Sequence, residues 1–221
     1  MAEPTTQSSS ELDRAAEEAG FYHEAALNAA WTGARFAVGA LSFLYGAFAF
    51  AYFYLRSVNS AGRWQGSGYH APPMGYGVTV LILVVASAVI QYVGLVRIKA
   101  GAKNVWQAAS LVALLLGVAA VVVQILDLLN LPFPPGSSGF SSVFVDTYPV
   151  LLVSWLAMMM WLEILVMRAR ALPGIFFVEQ PPTYAEAFAV QRFQSSLSGF
   201  TLIWNYIAIV TAFFFILFYV L

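Results

Sequence analysis

GVTVLILVVASAVIQYVGLV, residues 77–96, decides the fold, because it runs for 20 residues without one Asp, Glu, Lys, Arg or His. A helix of that length rises about 30 Å, the thickness of bilayer hydrocarbon. Backbone amides have no water to pair with at that depth, so the segment must be helical. Strands of a β-barrel would be half as long and would alternate in polarity. Four further apolar stretches follow the same rule, at roughly 31–55, 105–129, 143–167 and 200–221. The expectation is an all-α integral membrane protein with five transmembrane helices. Residues 31–221 form its membrane domain, and residues 1–30 form a polar N-terminal tail.

Composition agrees. Of 221 residues, 61% are apolar and only 10% are charged, against about 25% charged in soluble domains. The mean hydropathy is +0.77. A net charge of −1 argues against a nucleic-acid partner. There is no cysteine, and the only two histidines, His23 and His70, lie outside the apolar stretches. The ligands that hold haem, copper or iron–sulfur centres in membranes are therefore missing from the spans. No cofactor is expected in this chain. The Met158–Met160 run reads as packing, since a copper site would recruit His or Cys as well.

Basic residues set the expected orientation. Arg14 and Arg35 precede or open the first span. Arg97, Lys99 and Lys103 lie between the second and third, and Arg168, Arg170 and Arg192 between the fourth and fifth. With five spans these regions share one side, which holds eight of the ten basic residues. The positive-inside rule puts that side, with the N-terminus, in the cytoplasm and the C-terminus outside. Arg97, Lys99, Lys103, Arg168 and Arg170 are expected to meet phospholipid headgroups, at about 1 kcal/mol each where the lipid is anionic.

The tail is too polar for a cleavable signal peptide, so the first span is expected to serve as the insertion signal. Ser10 to Ala30 reads as a helix, with Ser10 and Asp13 at capping-box spacing. Two readings stay open: a short amphipathic helix on the membrane surface, or a solvated helical tail. The segments 57–76 and 169–199 read as packed loops, the second holding Pro173, Pro181 and Pro182.

Ionisable groups at membrane depth need a reason. Gln124 and Asp127 are three apart and share a helical face, which suits a polar contact to a neighbouring helix or subunit. The alternative has Asp127 and Asn130 reaching the external headgroups. Glu163 either snorkels to the cytoplasmic interface or pairs with a basic group on another helix. Asp146 reads as an anion at a helix N-terminus. Small residues recur at Gly33, Ala37 and Ala40 and at Ala109, Ala113 and Gly117, a spacing that lets helices approach closely.

Several motifs then fall in a suggestive order. AYFYLR (51–56) closes the first span, and Pro72–Pro73 precede TVLILVVASAV (79–89). GLVRIKAGAK (94–103) makes a basic turn, QILD (124–127) ends the third span, and GFSS (139–142) follows. Trp204 and ILFYVL (216–221) lie in the last span. This order resembles subunit III of the haem–copper terminal oxidases (cytochrome c or quinol oxidases), in the five-helix bacterial form. The likeness covers roughly residues 35–168 and 198–221. It implies a subunit without a redox centre of its own in the bacterial cytoplasmic membrane. Such a subunit packs against the haem- and copper-bearing subunit I, binds phospholipid and sustains oxygen reduction and proton movement. The chain departs from the family pattern in places. Leu41 and Ser42 stand where the family has a buried Glu, and Asp127 replaces a Glu. The family's histidines are absent from 143–154, and Ser198 and Thr201 stand where it has a Trp-His-Phe-x-Asp pattern. Two other readings are a similar subunit of another respiratory complex (a nitric oxide reductase or a quinol-oxidising supercomplex) and a small membrane transporter.

Overall fold

A computed structural model describes residues 6–59, 64–65, 72–172 and 183–221, with side chains described from residue 13 onward. His70, Arg63, Pro173, Pro181 and Pro182 lie outside the described residues. Five helices follow one another: α1 (Thr6–Val58), α2 (Met74–Lys99), α3 (Lys103–Leu129), α4 (Gly139–Ala171) and α5 (Tyr184–Phe215). A single π-helical turn, Ile216–Val220, ends the chain. All five helices are long and apolar enough to cross a membrane.

The helices run past the apolar stretches that announce them. Hydropathy detects only the part of a helix that must sit in hydrocarbon, whereas the helix continues wherever its backbone stays paired. α1 is 53 residues long, about 80 Å at 1.5 Å per residue, and the tail and first span are one uninterrupted helix. It begins at Thr6, so Ser10 lies inside it and does not cap it. Much of the segment read as a loop between the fourth and fifth spans is also helix, because α4 extends to Ala171 and α5 starts at Tyr184. Thr183 starts α5: its hydroxyl oxygen accepts the Glu186 amide at 3.3 Å and lies 2.8 Å from the Glu186 carboxylate. That Thr-x-x-Glu signature was legible in the sequence.

α5 is the centre of the bundle. It packs against α1, α2 and α4, while α3 packs against α2 and α4. Accordingly 56% of its most apolar window is buried, against 11% for α1. α1 and α5 run side by side in the same direction. His23 meets Phe188 near one end (ring centroids 4.8 Å apart), and Tyr52 meets Phe218 near the other (5.8 Å).

Small residues let α2 and α3 approach closely. A Cβ on Gly94 would stand 3.0 Å from that of Ala109. Ser87 donates to the Ala113 carbonyl at 2.8 Å, and Ser110 to the Gln91 side-chain oxygen at 3.2 Å. Gly101, at φ +84°, supplies the left-handed turn that joins them. The Ala109–Gly117 stripe is thus used within the bundle, whereas Gly33 and Ala40 are exposed.

Tryptophans fill the middle of the core. Trp155 from α4 meets Trp204 from α5 edge-on at 4.9 Å, and Met159 packs against Gly117. In lipid such contacts replace the hydrophobic effect as the force between helices.

Gly199 of α5 sits where α1 passes. A Cβ there would lie 2.8 Å from the Ala30 carbonyl oxygen and 2.9 Å from the Ala34 Cβ. Gly199→Ala should therefore cost about 1–3 kcal/mol. Gly39→Ala, on an open face with nothing within 4 Å, should be neutral or slightly stabilising. Unfolding of the two variants in detergent tests this, and equal stabilities would contradict the packing described.

Candidate functional site

The described residues hold two concentrations of polar chemistry, at opposite ends of the bundle. The first begins with Asp127 in the last turns of α3. It is fully buried, and its Oδ2 accepts a hydrogen bond from the Tyr219 hydroxyl at 2.6 Å. Tyr219 in turn accepts from the Tyr148 hydroxyl of α4 at 3.0 Å. One turn deeper, Gln124 donates to the Tyr148 carbonyl at 3.3 Å. Both predicted polar residues of α3 therefore bond within the chain, to α4 and to the C-terminal turn. Asn130 does something else: it caps α3 from an exposed position, donating to the Leu126 carbonyl at 2.7 Å.

Local structure explains how these groups meet. The π turn closes with the Leu221 amide on the Ile216 carbonyl at 3.0 Å, and it carries Tyr219. Gly77 of α2 leaves room for that ring, since a Cβ there would fall 2.6 Å from it. Ser138 caps α4 by accepting the Ser141 amide, and the Ser141 hydroxyl accepts the Ser138 amide in return. Phe144 and Tyr148 stack at 4.2 Å. Trp64 packs edge-on against Tyr52 and Phe140 and accepts the Phe140 amide on its carbonyl at 3.2 Å. Asp127 Oδ1 is buried without a hydrogen-bond partner among the described residues, as are Gln91 Nε2 and the indole nitrogens of Trp106 and Trp204.

The second concentration is basic. Arg97 and Lys99 end α2, Lys103 starts α3, and Arg168 and Arg170 lie in the last turn of α4. Lys103 Nζ reaches the Leu172 carbonyl at 3.3 Å, tying the α2–α3 turn to the end of α4. Trp106 meets Phe193 at 5.9 Å, placing the same level beside α5. An open hollow of about 670 Å³ is lined by Lys103, Asn104, Gln107 and Arg170. Gln107 and Arg170 also line a groove of about 460 Å³ between α3 and α4, whose walls include Leu111, Leu114, Val166 and Met167. Glu163 is exposed and lines that groove, with no salt bridge to Arg168 or Arg170.

One smaller expectation fails on geometry. Asp146 is exposed, and it lies two turns inside α4, which starts at Gly139. A helix dipole falls off within the first turn, so it does not hold this carboxylate. Of the methionines, Met158 and Met159 are core residues and Met160 is exposed. His23 stacks on Tyr184, whose hydroxyl lies 3.1 Å from Nδ1, and so it links α1 to α5. Among the described residues no group of three or more His, Asp or Glu side chains could hold a metal ion.

The fold and these sites define a helical membrane protein of five spanning-type helices, its buried polar groups joined from helix to helix. No protein-family model matches the chain, and no curated protein matches it.

The tyrosine partners of Asp127 were beyond sequence reasoning, because Tyr219 lies 92 residues from it along the chain. The available signal was a tyrosine near the end of an apolar span, whose hydroxyl needs a partner when buried. Interhelical hydrogen bonds in membranes are worth about 0.6 kcal/mol on average and up to about 1.7. A double-mutant cycle on Asp127→Asn and Tyr219→Phe should return a coupling in the upper part of that range. A coupling near zero in reversible unfolding would contradict the network.

Proposed function

We propose that this chain is a non-catalytic subunit of a respiratory haem–copper oxidase, similar to subunit III, in a bacterial cytoplasmic membrane. It stabilises subunit I, which carries the haem and copper, while the complex reduces oxygen and moves protons. Its N-terminus faces the cytoplasm, as the basic end of the bundle favours. The observation that carries the reading is the buried bridge Asp127–Tyr219–Tyr148. It stands at the QILD motif through which the resemblance runs, and there the acid holds helices together.

The basic groove supports the lipid-binding part of the proposal. A phospholipid headgroup fits the hollow lined by Lys103 and Arg170, and an acyl chain fits the apolar walls between α3 and α4. Basic pockets between helices on the cytoplasmic side suit anionic headgroups.

Purification in mild detergent tests the assignment. The chain should co-elute with a haem-bearing subunit in fixed ratio, and the complex lacking it should keep its haem spectrum but lose activity over repeated turnovers. Solute flux from the isolated chain, or purification without any haem protein, would refute it. Lys103→Gln combined with Arg170→Gln removes two cations worth about 1 kcal/mol each. The preference for phosphatidylglycerol over phosphatidylcholine, read by native mass spectrometry, should then fall roughly thirty-fold. An unchanged preference would place the lipid elsewhere.

A further inference from the structure

The groove between α3 and α4 changes its chemistry with depth. Lys103 and Arg170, two cations of the basic hollow, stand at its mouth. Ser110 lies seven residues into α3 from Lys103, and Glu163 lies seven residues before Arg170 in α4. α3 leaves the basic end and α4 returns to it, with Lys103 Nζ held at the Leu172 carbonyl. Both Ser110 and Glu163 therefore stand two turns inward, about 10 Å along the axes. Both line the groove, one on each wall. We infer that the groove takes a phosphate-bearing lipid with an amide N–H or a hydroxyl where its headgroup joins its chains. The inference rests on the lipid reading above and narrows it to one class of lipid.

At the inner level these two side chains offer acceptors and no donor. Ser110 is fully buried, and its hydroxyl donates to the Gln91 side-chain oxygen at 3.2 Å. Only the lone pairs of its oxygen remain for a ligand. A carboxylate likewise only accepts, and among the described residues no cation or hydroxyl partners Glu163. Glu163 lies within the apolar stretch 143–167, where an ionisable group needs a partner. Snorkelling to the basic end is opposed by local geometry. Cα–Cβ bonds tilt towards a helix N-terminus, so the Glu163 stem starts away from Arg168 and Arg170.

A diacylglycerol phospholipid does not satisfy this level. Its ester carbonyls only accept, so acceptor would face acceptor and the carboxylate would stay unpaired. A lipid with an amide-linked or hydroxylated chain presents donors at the same place. Its phosphate meets Lys103 and Arg170, whose long side chains cover part of the distance inward. Its N–H or O–H then reaches Glu163 or the Ser110 oxygen, and its chains run on over Leu111, Leu114 and Val166.

The size of the groove favours a lipid over a protein helix. Spread over the two turns from Arg170 to Glu163, about 460 Å³ gives a section of about 40 Å². A helix with its side chains is about 10–12 Å across, roughly twice that section or more. An extended chain is thin enough to lie between the walls.

Native mass spectrometry of the full chain, purified in mild detergent with its partners, tests this. Two probes compete for it: N-palmitoyl-sphinganine 1-phosphate and dipalmitoyl phosphatidic acid. They share the phosphate head, and only the first carries an amide N–H and a hydroxyl at the junction. The first should be retained about tenfold more, the worth of one hydrogen bond to a charged group. Glu163→Leu should bring the two to parity, and an unaltered melting curve checks that this exposed position leaves the fold intact. Lys103→Gln with Arg170→Gln should weaken both probes alike. Equal retention by the native chain, or a preference that survives Glu163→Leu, would overturn the inference and leave the lipid reading standing. Refusal of both probes, or binding of both indifferent to the loss of Lys103 and Arg170, would overturn the two together.

Discussion

In hydrocarbon, a polar side chain that leaves water must find its partner inside protein, and here that constraint converges on Tyr219. Its hydroxyl accepts from Tyr148 of α4 and donates to Asp127 of α3, and its ring lies over Gly77 of α2. The residue itself belongs to the π turn that extends α5. Four of the five helices are thus held in register at one end by a single side chain. Elsewhere a few interhelical bonds, Ser87 to Ala113 and Ser110 to Gln91 among them, join a bundle that otherwise depends on dispersion between interlocked aromatic and small residues, which sets distance well and rotation poorly. A directional bond in a low-dielectric setting supplies the missing specificity.

How much of this could be read from the sequence follows from the same physics. The five spans were legible because hydrocarbon demands about 20 apolar residues per crossing. Helix ends were not, because a helix that emerges into headgroups or water no longer needs an apolar sequence. That is why the tail merged with the first span, why α5 began sixteen residues before the expected Phe200, and why Asp146 fell inside α4. Gln124 and Asp127 were singled out by depth and spacing alone, but which groups they meet depends on helix rotation, which hydropathy does not encode. Glu163 resisted for the opposite reason: it lies on an exposed face beside a groove, where no contact among the described residues fixes its role.

The first and last helices of the bundle are unequal. α5 is enclosed by its neighbours, whereas α1 leans on α5 and α4 with one side and offers aromatic and glycine residues with the other. That exposed side is open to the surroundings, while the other is packed into the bundle. The basic groove at the end of α4 adds a second contact with the surroundings, suited to headgroups. Together these features describe a chain whose interior is structural and whose consequences lie at its boundaries.

Optical spectroscopy and metal analysis of the isolated, folded chain test that description most directly. The account predicts bound transition metal and visible chromophore far below one per chain, with redox centres appearing only when partner subunits are present. One haem, copper or iron–sulfur centre per chain, retained through purification of this protein alone, would contradict it.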